Sequence, residues 1–267
     1  MMQSILLHVQ DDAGFDSRFK AALTLGKAFD GHISCLHASP YGEYLANDPF
    51  TAMVLPVDFS KTMERIGRDM RVKVEAHLSA EDAKWDWHHV DDVGVDSAIL
   101  QMSPIVDVIV MSLDTRPKAH KIVAAVASKA RAPVLAIPSS AIGFDPSGVV
   151  AIAWNGSAES SVALRASLPL LRKAASVHLI EIEDRTMRTY NEQGAHYLLR
   201  HGIETSVARR SANSGDAGSA ILKVAEEVGA ALLVMGAYGH SRTAELIVGG
   251  ATKTVLSNSR IPLLLAH

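Results

Sequence analysis

Near the end of the chain runs Gly236-Ala237-Tyr238-Gly239-His240-Ser241-Arg242-Thr243-Ala244-Glu245-Leu246-Ile247-Val248-Gly249-Gly250-Ala251-Thr252, directly after the apolar stretch Leu232-Leu233-Val234-Met235. Glycines at this density permit positive φ and let successive backbone N–H groups surround an oxyanion. A helix that starts after Gly249-Gly250 adds unpaired N–H donors and the positive end of its dipole. That is phosphate-binding chemistry, to which Arg242 could add a charged pair and His240 a donor or acceptor. The competing expectation is a glycine-rich turn that serves tight strand–helix packing, with His240, Ser241 and Arg242 facing solvent or an interface.

Several other chemistries are not supported. The Gly-x-x-x-x-Gly-Lys-[Ser/Thr] loop is absent, and no Gly-x-Gly-x-x-Gly follows the first strand of either half, so the loop belongs to neither a Walker ATPase nor a dinucleotide enzyme. Adjacent His240 and Ser241 give no sign of the three converging groups that a nucleophilic triad needs. His88 and His89 are neighbours on a strand and point to opposite faces, so one metal ion cannot take both; His37, His88, His89 and His178 are expected as strand-end or sheet-face residues. Trp85 and Trp87 alternate and share a face, expected to cover the sheet or a seam. Cys35, the single cysteine, can form no internal disulfide and sits in an apolar strand pattern, where it is expected to be buried.

The elements that must position the loop come in two copies. Val108-Ile109-Val110-Met111-Ser112 is echoed by Leu232-Leu233-Val234-Met235-Gly236, Ala132-Pro133-Val134-Leu135-Ala136 by Ile261-Pro262-Leu263-Leu264-Leu265-Ala266, and Ser4-Ile5-Leu6-Leu7-His8-Val9 by Gly148-Val149-Val150-Ala151-Ile152-Ala153. The turn-rich stretch 138–148 reads as a linker, giving domains at 1–140 and 147–267. In the second, strands are expected near 149–154, 176–182, 204–209, 231–236 and 262–266, with helices near 158–174, 187–201, 216–228 and 249–258. Pro169 should kink the first helix or break its hydrogen bonding, and Gly202 should cap the second. Short apolar strands alternating with helices imply a doubly wound α/β architecture with a parallel sheet covered on both faces. Ligands bind such sheets beyond the carboxyl ends of the strands, at Trp154-Asn155-Gly156-Ser157, Glu183-Asp184, Asn213-Ser214-Gly215-Asp216 and the 236–250 loop. In the first half, a long stretch from Ala38 to Asp58 reads either as a lid or as a loop packed over the sheet edge.

With 267 residues, 48% hydrophobic and 21% charged, the chain is neither disordered nor fibrous. Its net charge of -3, with 14 basic and 18 acidic residues before Gly143 and 12 and 11 after it, offers no general attraction for nucleic acid or an anionic membrane. No apolar run approaches a membrane span and the N-terminus lacks a signal-peptide pattern, so the expected location is the cytoplasm.

The spacing Gly236-x2-Gly239-x9-Gly249-Gly250, with Ser241, Arg242 and Glu245, resembles the Gly-x2-Gly-x9-Gly-[Ser/Thr] signature of ATP-binding universal stress proteins, in particular tandem two-domain bacterial members. The resemblance covers the whole chain, with Pro133 and Pro262 opening the last strands. It implies two Rossmann-like domains of five parallel strands each in the order 3-2-1-4-5, paired through their fifth strands. It also implies an adenine nucleotide, ATP with or without Mg, in the cleft. Site residues implied on this basis are Asn155, Gly215, Gly236, Gly239, His240, Ser241, Arg242, Gly249, Gly250 and Thr252. Two positions depart from the pattern. Gly250 replaces Ser or Thr, which removes a hydroxyl donor but keeps an amide. Asn155 replaces an Asp and cannot ionise, which leaves it hydrogen bonding to ribose or phosphate rather than metal coordination. In the first half, Ser112 lies 124 positions before Gly236 and Pro133 lies 129 before Pro262, so that loop is five residues shorter. It contains no glycine, and Asp114 would repel phosphate. One site per chain follows, in a nucleotide-binding stress or regulatory protein with unidentified protein partners and homodimer formation left open. The alternatives are a slow nucleotide hydrolase and a ligand-independent scaffold.

Overall fold

The computed structural model describes residues 1–38, 58–91, 93–113, 117–141, 143–183, 191–211, 216–237 and 250–267, with backbone only at 58–60, 62, 117–120, 183 and 191. The first half runs β1 (Ser4–His8), α1 (Phe15–Phe29), β2 (His32–Ala38), α2 (Asp58–Ala80), β3 (Lys84–Val90), α3 (Val95–Met102), β4 (Val108–Leu113), α4 (Pro117–Lys129) and β5 (Val134–Pro138). The second runs β6 (Val149–Ala153), α5 (Ala158–Leu171), β7 (Ser176–Glu183), α6 (Asn191–Arg200), β8 (Ser206–Ser211), α7 (Ala217–Glu227), β9 (Leu232–Gly236), α8 (Gly250–Asn258) and β10 (Leu263–Ala266). The stretch 39–57, where a lid or packed loop is expected, lies outside the described residues.

All ten strands form one sheet in the order β3-β2-β1-β4-β5-β10-β9-β6-β7-β8. Each half therefore has the order 3-2-1-4-5. Every pairing within a half is parallel, and the halves join through one antiparallel pairing, Leu263↔Ala136, Leu264↔Leu135 and Leu265↔Val134. The apolar fifth strands thus cover each other, which removes two edges that would otherwise template aggregation. Central strands are buried on both faces, as parallel strands between helices must be: Ile5, Leu6 and Leu7 are fully buried, as are Val108, Ile109 and Val110. One face packs α1, α2, α5 and α6, through Phe15, Phe19, Met70, Val74, Leu164 and Leu198 among others. The opposite face packs α3, α4, α7 and α8.

Helix ends follow local chemistry. Ser157 caps α5 by accepting from the Ser160 N–H at 3.1 Å, and Asp216 caps α7 by accepting from the Gly218 N–H at 3.0 Å. Gly202, at φ 75°, closes α6: its N–H donates to Leu199 and the Ile203 N–H donates to Leu198, at 2.9 and 3.0 Å. That closure commits Ile203 to the helix end, which is why β8 begins at Ser206 rather than at 204. Helix α5 runs through Pro169 and ends two residues later, at Leu171, so the proline marks its last turn. Cys35 is buried, and burial, with the nearby Asp86 carboxylate second, pushes its thiol up to about 12. Trp85 and Trp87 both pack against the α1/α2 side of the sheet.

Candidate nucleotide site

The carboxyl ends of β6 and β9 lie side by side, with Ala153 paired to Met235. Gly236 ends β9 against the first turn of α5. A Cβ there would fall 2.5 Å from the Ser160 nitrogen and 2.6 Å from the Glu159 carbonyl carbon, so the approach is backbone to backbone and admits only glycine. Just beyond β6, the Asn155 side-chain oxygen accepts from the Ser157 N–H at 3.1 Å, forming a local turn before the helix cap. The Asn155 amide nitrogen is its donor, and with its oxygen turned to Ser157 this neutral group is poorly suited to hold Mg.

Helix α8 begins at Gly250, which is exposed, and Thr252 in its first turn is buried. Its position is set by α7. A Cβ on Gly218 would fall 2.6 Å from the Ala251 carbonyl oxygen and 3.1 Å from the Ala251 Cα, so two helix starts touch through backbone. Gly218 escaped the sequence reading, although its place two residues after the capping Asp216 is a usable signal. Asn155, Gly236, Gly250 and Thr252 are thus placed at the ends of β6 and β9 and the start of α8. Gly215, Gly239, His240, Ser241, Arg242 and Gly249 lie outside the described residues.

Replacing Gly236 by alanine is expected to destabilise the protein by about 1–3 kcal/mol, the usual range for overpacking, because backbone cannot give way as a side chain can. Urea unfolding checks this. A loss under about 0.5 kcal/mol would show that the α5 approach is slack.

The corresponding place in the first half is filled. Arg18 is the fourth residue after the helix N-cap Gly14, as Ser161 is after the N-cap Ser157. The Arg18 side chain is fully buried. Its Nε donates to the His8 carbonyl at 2.7 Å, one terminal nitrogen donates to Asp12 and the Ser112 hydroxyl at 2.6 Å each, and the other donates to the Gln10 carbonyl at 2.5 Å. Burial pushes the guanidinium pKa down and Asp12 offsets this. A charged side chain of the protein occupies the β1/β4 crevice, where a ligand of this fold would sit. Ser161 instead turns its hydroxyl back to the Ser157 carbonyl, at 2.8 Å. The close approach is also inverted between the halves: Gly14 makes room for Ser112, whereas Gly236 makes room for Ser160.

The register carries a second contrast. One residue beyond the Ala153 pairings, Gly236, Trp154, Glu181 and Arg209 share a row across β9, β6, β7 and β8. Its counterpart in the first half is Ser112, Val9, His37 and His89. His37 Nδ1 donates to the Val9 carbonyl at 3.0 Å, and its ring lies 5.2 Å from that of His89 and 5.9 Å from that of Trp87. Burial first, then the Val9 hydrogen bond in opposition, sets the His37 pKa below its ordinary value. His88 turns to Asp86, 3.2 Å away, and His89 to Asp91, 2.5 Å away, on the two sides of β3. Among the described residues no three His, Cys, Asp or Glu side chains could hold a metal ion together, and no helix is long and apolar enough to cross a membrane.

Each half is thus a doubly wound α/β unit with a five-stranded parallel sheet. Residues 160–267 match the Universal stress protein family. Over its full length the fold is that of a universal stress protein from Archaeoglobus fulgidus DSM 4304, with a TM-score of 0.74 at 17% identity, covering 100% of this chain and 98% of that one. A functionally unknown protein from Pseudomonas aeruginosa PAO1 superposes with a TM-score of 0.61 at 14% identity, covering 99% of this chain and 92% of that one. No curated protein matches the sequence.

Proposed function

We propose that this protein binds one adenine nucleotide, ATP, across the carboxyl ends of β6 and β9, and acts in the cytoplasm as a nucleotide-dependent stress or regulatory protein. The observation that carries the reading is the contrast between the halves: Arg18 fills the β1/β4 crevice with its own guanidinium, whereas the equivalent helix position in the second half is Ser161. The second domain, 147–267, is the binding one and 1–140 supports it. Gly236, Gly239, Gly249 and Gly250 give backbone N–H groups to the phosphates, Arg242 and His240 neutralise and hydrogen-bond them, and Ser241 adds a hydroxyl. Thr252 stands in the first turn of α8, whose N–H groups face the anion. Asn155 hydrogen-bonds the ribose or a phosphate, and Gly215 shapes the turn into α7. ATP brings its own Mg, for which Asn155 supplies no charge.

Turnover is slow or absent, since donors that serve bound nucleotide and transition state alike favour occupancy without accelerating chemistry. Calorimetric titration with Mg-ATP is expected to give a stoichiometry near one, lost when Gly239→Trp and Gly249→Trp are combined. A stoichiometry near two, or binding that survives both changes, overturns the site. No binding at all favours a ligand-independent scaffold. Phosphate release at about 1 per second or faster, abolished by changing His240 or Arg242 while nucleotide still binds, favours a hydrolase.

A further inference from the structure

The polar groups on the α5/α6 face of the second half do not balance. The Glu181 side chain is 4% exposed; its Oε2 accepts from Arg209 Nε at 2.9 Å, and its Oε1, also buried, has no hydrogen-bond partner among the described residues. A buried carboxylate oxygen without a donor is costly to the folded state. The fold does not require it: at the equivalent point of the first half, His37 satisfies itself on the Val9 carbonyl as a neutral ring. A carboxylate kept at such a cost, where its counterpart shows that a neutral group suffices, is suited to a donor from outside the protein.

Its position names the donor. Glu181 shares a row with Trp154 and Gly236, so it lies one strand from β6 and two from β9, about 5 and 10 Å along the sheet. In the dinucleotide-binding version of the doubly wound fold, whose glycine fingerprint this chain lacks, a carboxylate on the strand beside the first one meets the ribose while the phosphates lie at a helix start, and the same strand geometry is available here. Here that strand is β7. We infer that Glu181 Oε1 accepts a hydrogen bond from a ribose hydroxyl of the nucleotide proposed above, with Arg209 fixing the carboxylate, so that the site selects ribonucleotides over deoxyribonucleotides. The inference rests on the nucleotide reading. Arg209 is a positioning residue, half exposed and able to hold Oε2 without touching the ligand.

The test is calorimetric titration of the full chain with ATP, 2′-deoxy-ATP, 3′-deoxy-ATP and ITP, on the unaltered protein, Glu181→Met and Glu181→Gln. The unaltered protein should bind ATP about tenfold or more tighter than at least one deoxy analogue, the scale of one hydrogen bond to a charged acceptor. Glu181→Met should bring that ratio to within about twofold. Glu181→Gln, which keeps a neutral acceptor, should fall between them. Because the ratio is internal to each variant, a general loss of affinity does not imitate the result, and Glu181→Gln carries the test if Glu181→Met does not fold. Equal binding of ATP and both deoxy analogues by the unaltered protein overturns the inference alone. So does a ratio unchanged by either substitution, or a Glu181 effect confined to the preference for ATP over ITP, which would place the carboxylate on the base. Failure to bind any of the four overturns the nucleotide reading and the inference with it.

Discussion

Replacing Arg18 by methionine is expected to lower the stability of the protein by about 3–5 kcal/mol, the range seen when one member of a buried charged network is removed. The methionine fills much of the same volume, so packing is largely kept and the loss is mainly polar. It leaves the His8 and Gln10 carbonyls, the Ser112 hydroxyl and the Asp12 carboxylate without the donor they share. Asp12 is 24% exposed, so water relieves part of its charge, and the expected loss lies toward the lower end. For the same reason Asp12→Asn should cost less than Arg18→Met. Urea unfolding of both variants at neutral pH checks the order. A loss of less than about 1 kcal/mol for Arg18→Met would show that the network is balanced by its own desolvation.

Acid should weaken the protein well above the range where carboxylates titrate. His8 is buried, and burial, then the charge of Arg18, then His37, pushes its pKa down from 6.5 to about 3. Above pH 6.5 the ring is neutral whether the chain is folded or not, and it contributes nothing to the pH dependence. Below 6.5 the unfolded chain takes up a proton that the folded chain refuses until about pH 3. Stability therefore falls with falling pH, by about 1.4 kcal/mol per unit, or roughly 2–3 kcal/mol by pH 4.5. His37, also held below its ordinary value, adds in the same direction. Urea unfolding at pH 7.5, 6.0 and 4.5 reads the slope, and His8→Leu, which removes the group and its Nε2, without a partner among the described residues, should flatten it. An equal slope in the variant would assign the acid sensitivity to other groups.

The sequence exposes most of the architecture because apolar runs such as Val108–Met111 and Leu232–Met235 admit few alternatives to buried parallel strands. The strand order came through the family resemblance, since periodicity alone does not say which strand lies beside which. Strand β8 was the least well bounded in the second half: Ser206-Val207-Ala208-Arg209-Arg210-Ser211 is largely exposed at the sheet edge, so no buried face marks its limits. Arg18 was invisible as a filler, because an arginine near Phe15 and Phe19 reads as the polar side of an amphipathic helix. Its burial is a product of the β1 and β4 carboxyl ends converging on it. The Glu181 row was hidden for a related reason. A strand's alternation assigns each residue to a face, but which four residues line up across four strands depends on register, and no local pattern encodes that. Gly236 at the end of β9 and Gly250 at the start of α8 follow from spacing, whereas Gly218, which holds the start of α8 in place, depends on a contact between two helices.

The antiparallel join of β5 to β10 has a consequence for how such a protein can change. When two identical subunits meet through the same strand, every substitution appears twice across the axis, and assembly obeys mass action. Carried on one chain, the join is independent of protein concentration and its two sides are separate genetic positions. Each half can then accumulate changes that its partner does not share. An arginine can fill one crevice while the other half carries a serine, Ser161, at the equivalent helix position, and the difference costs the assembly nothing.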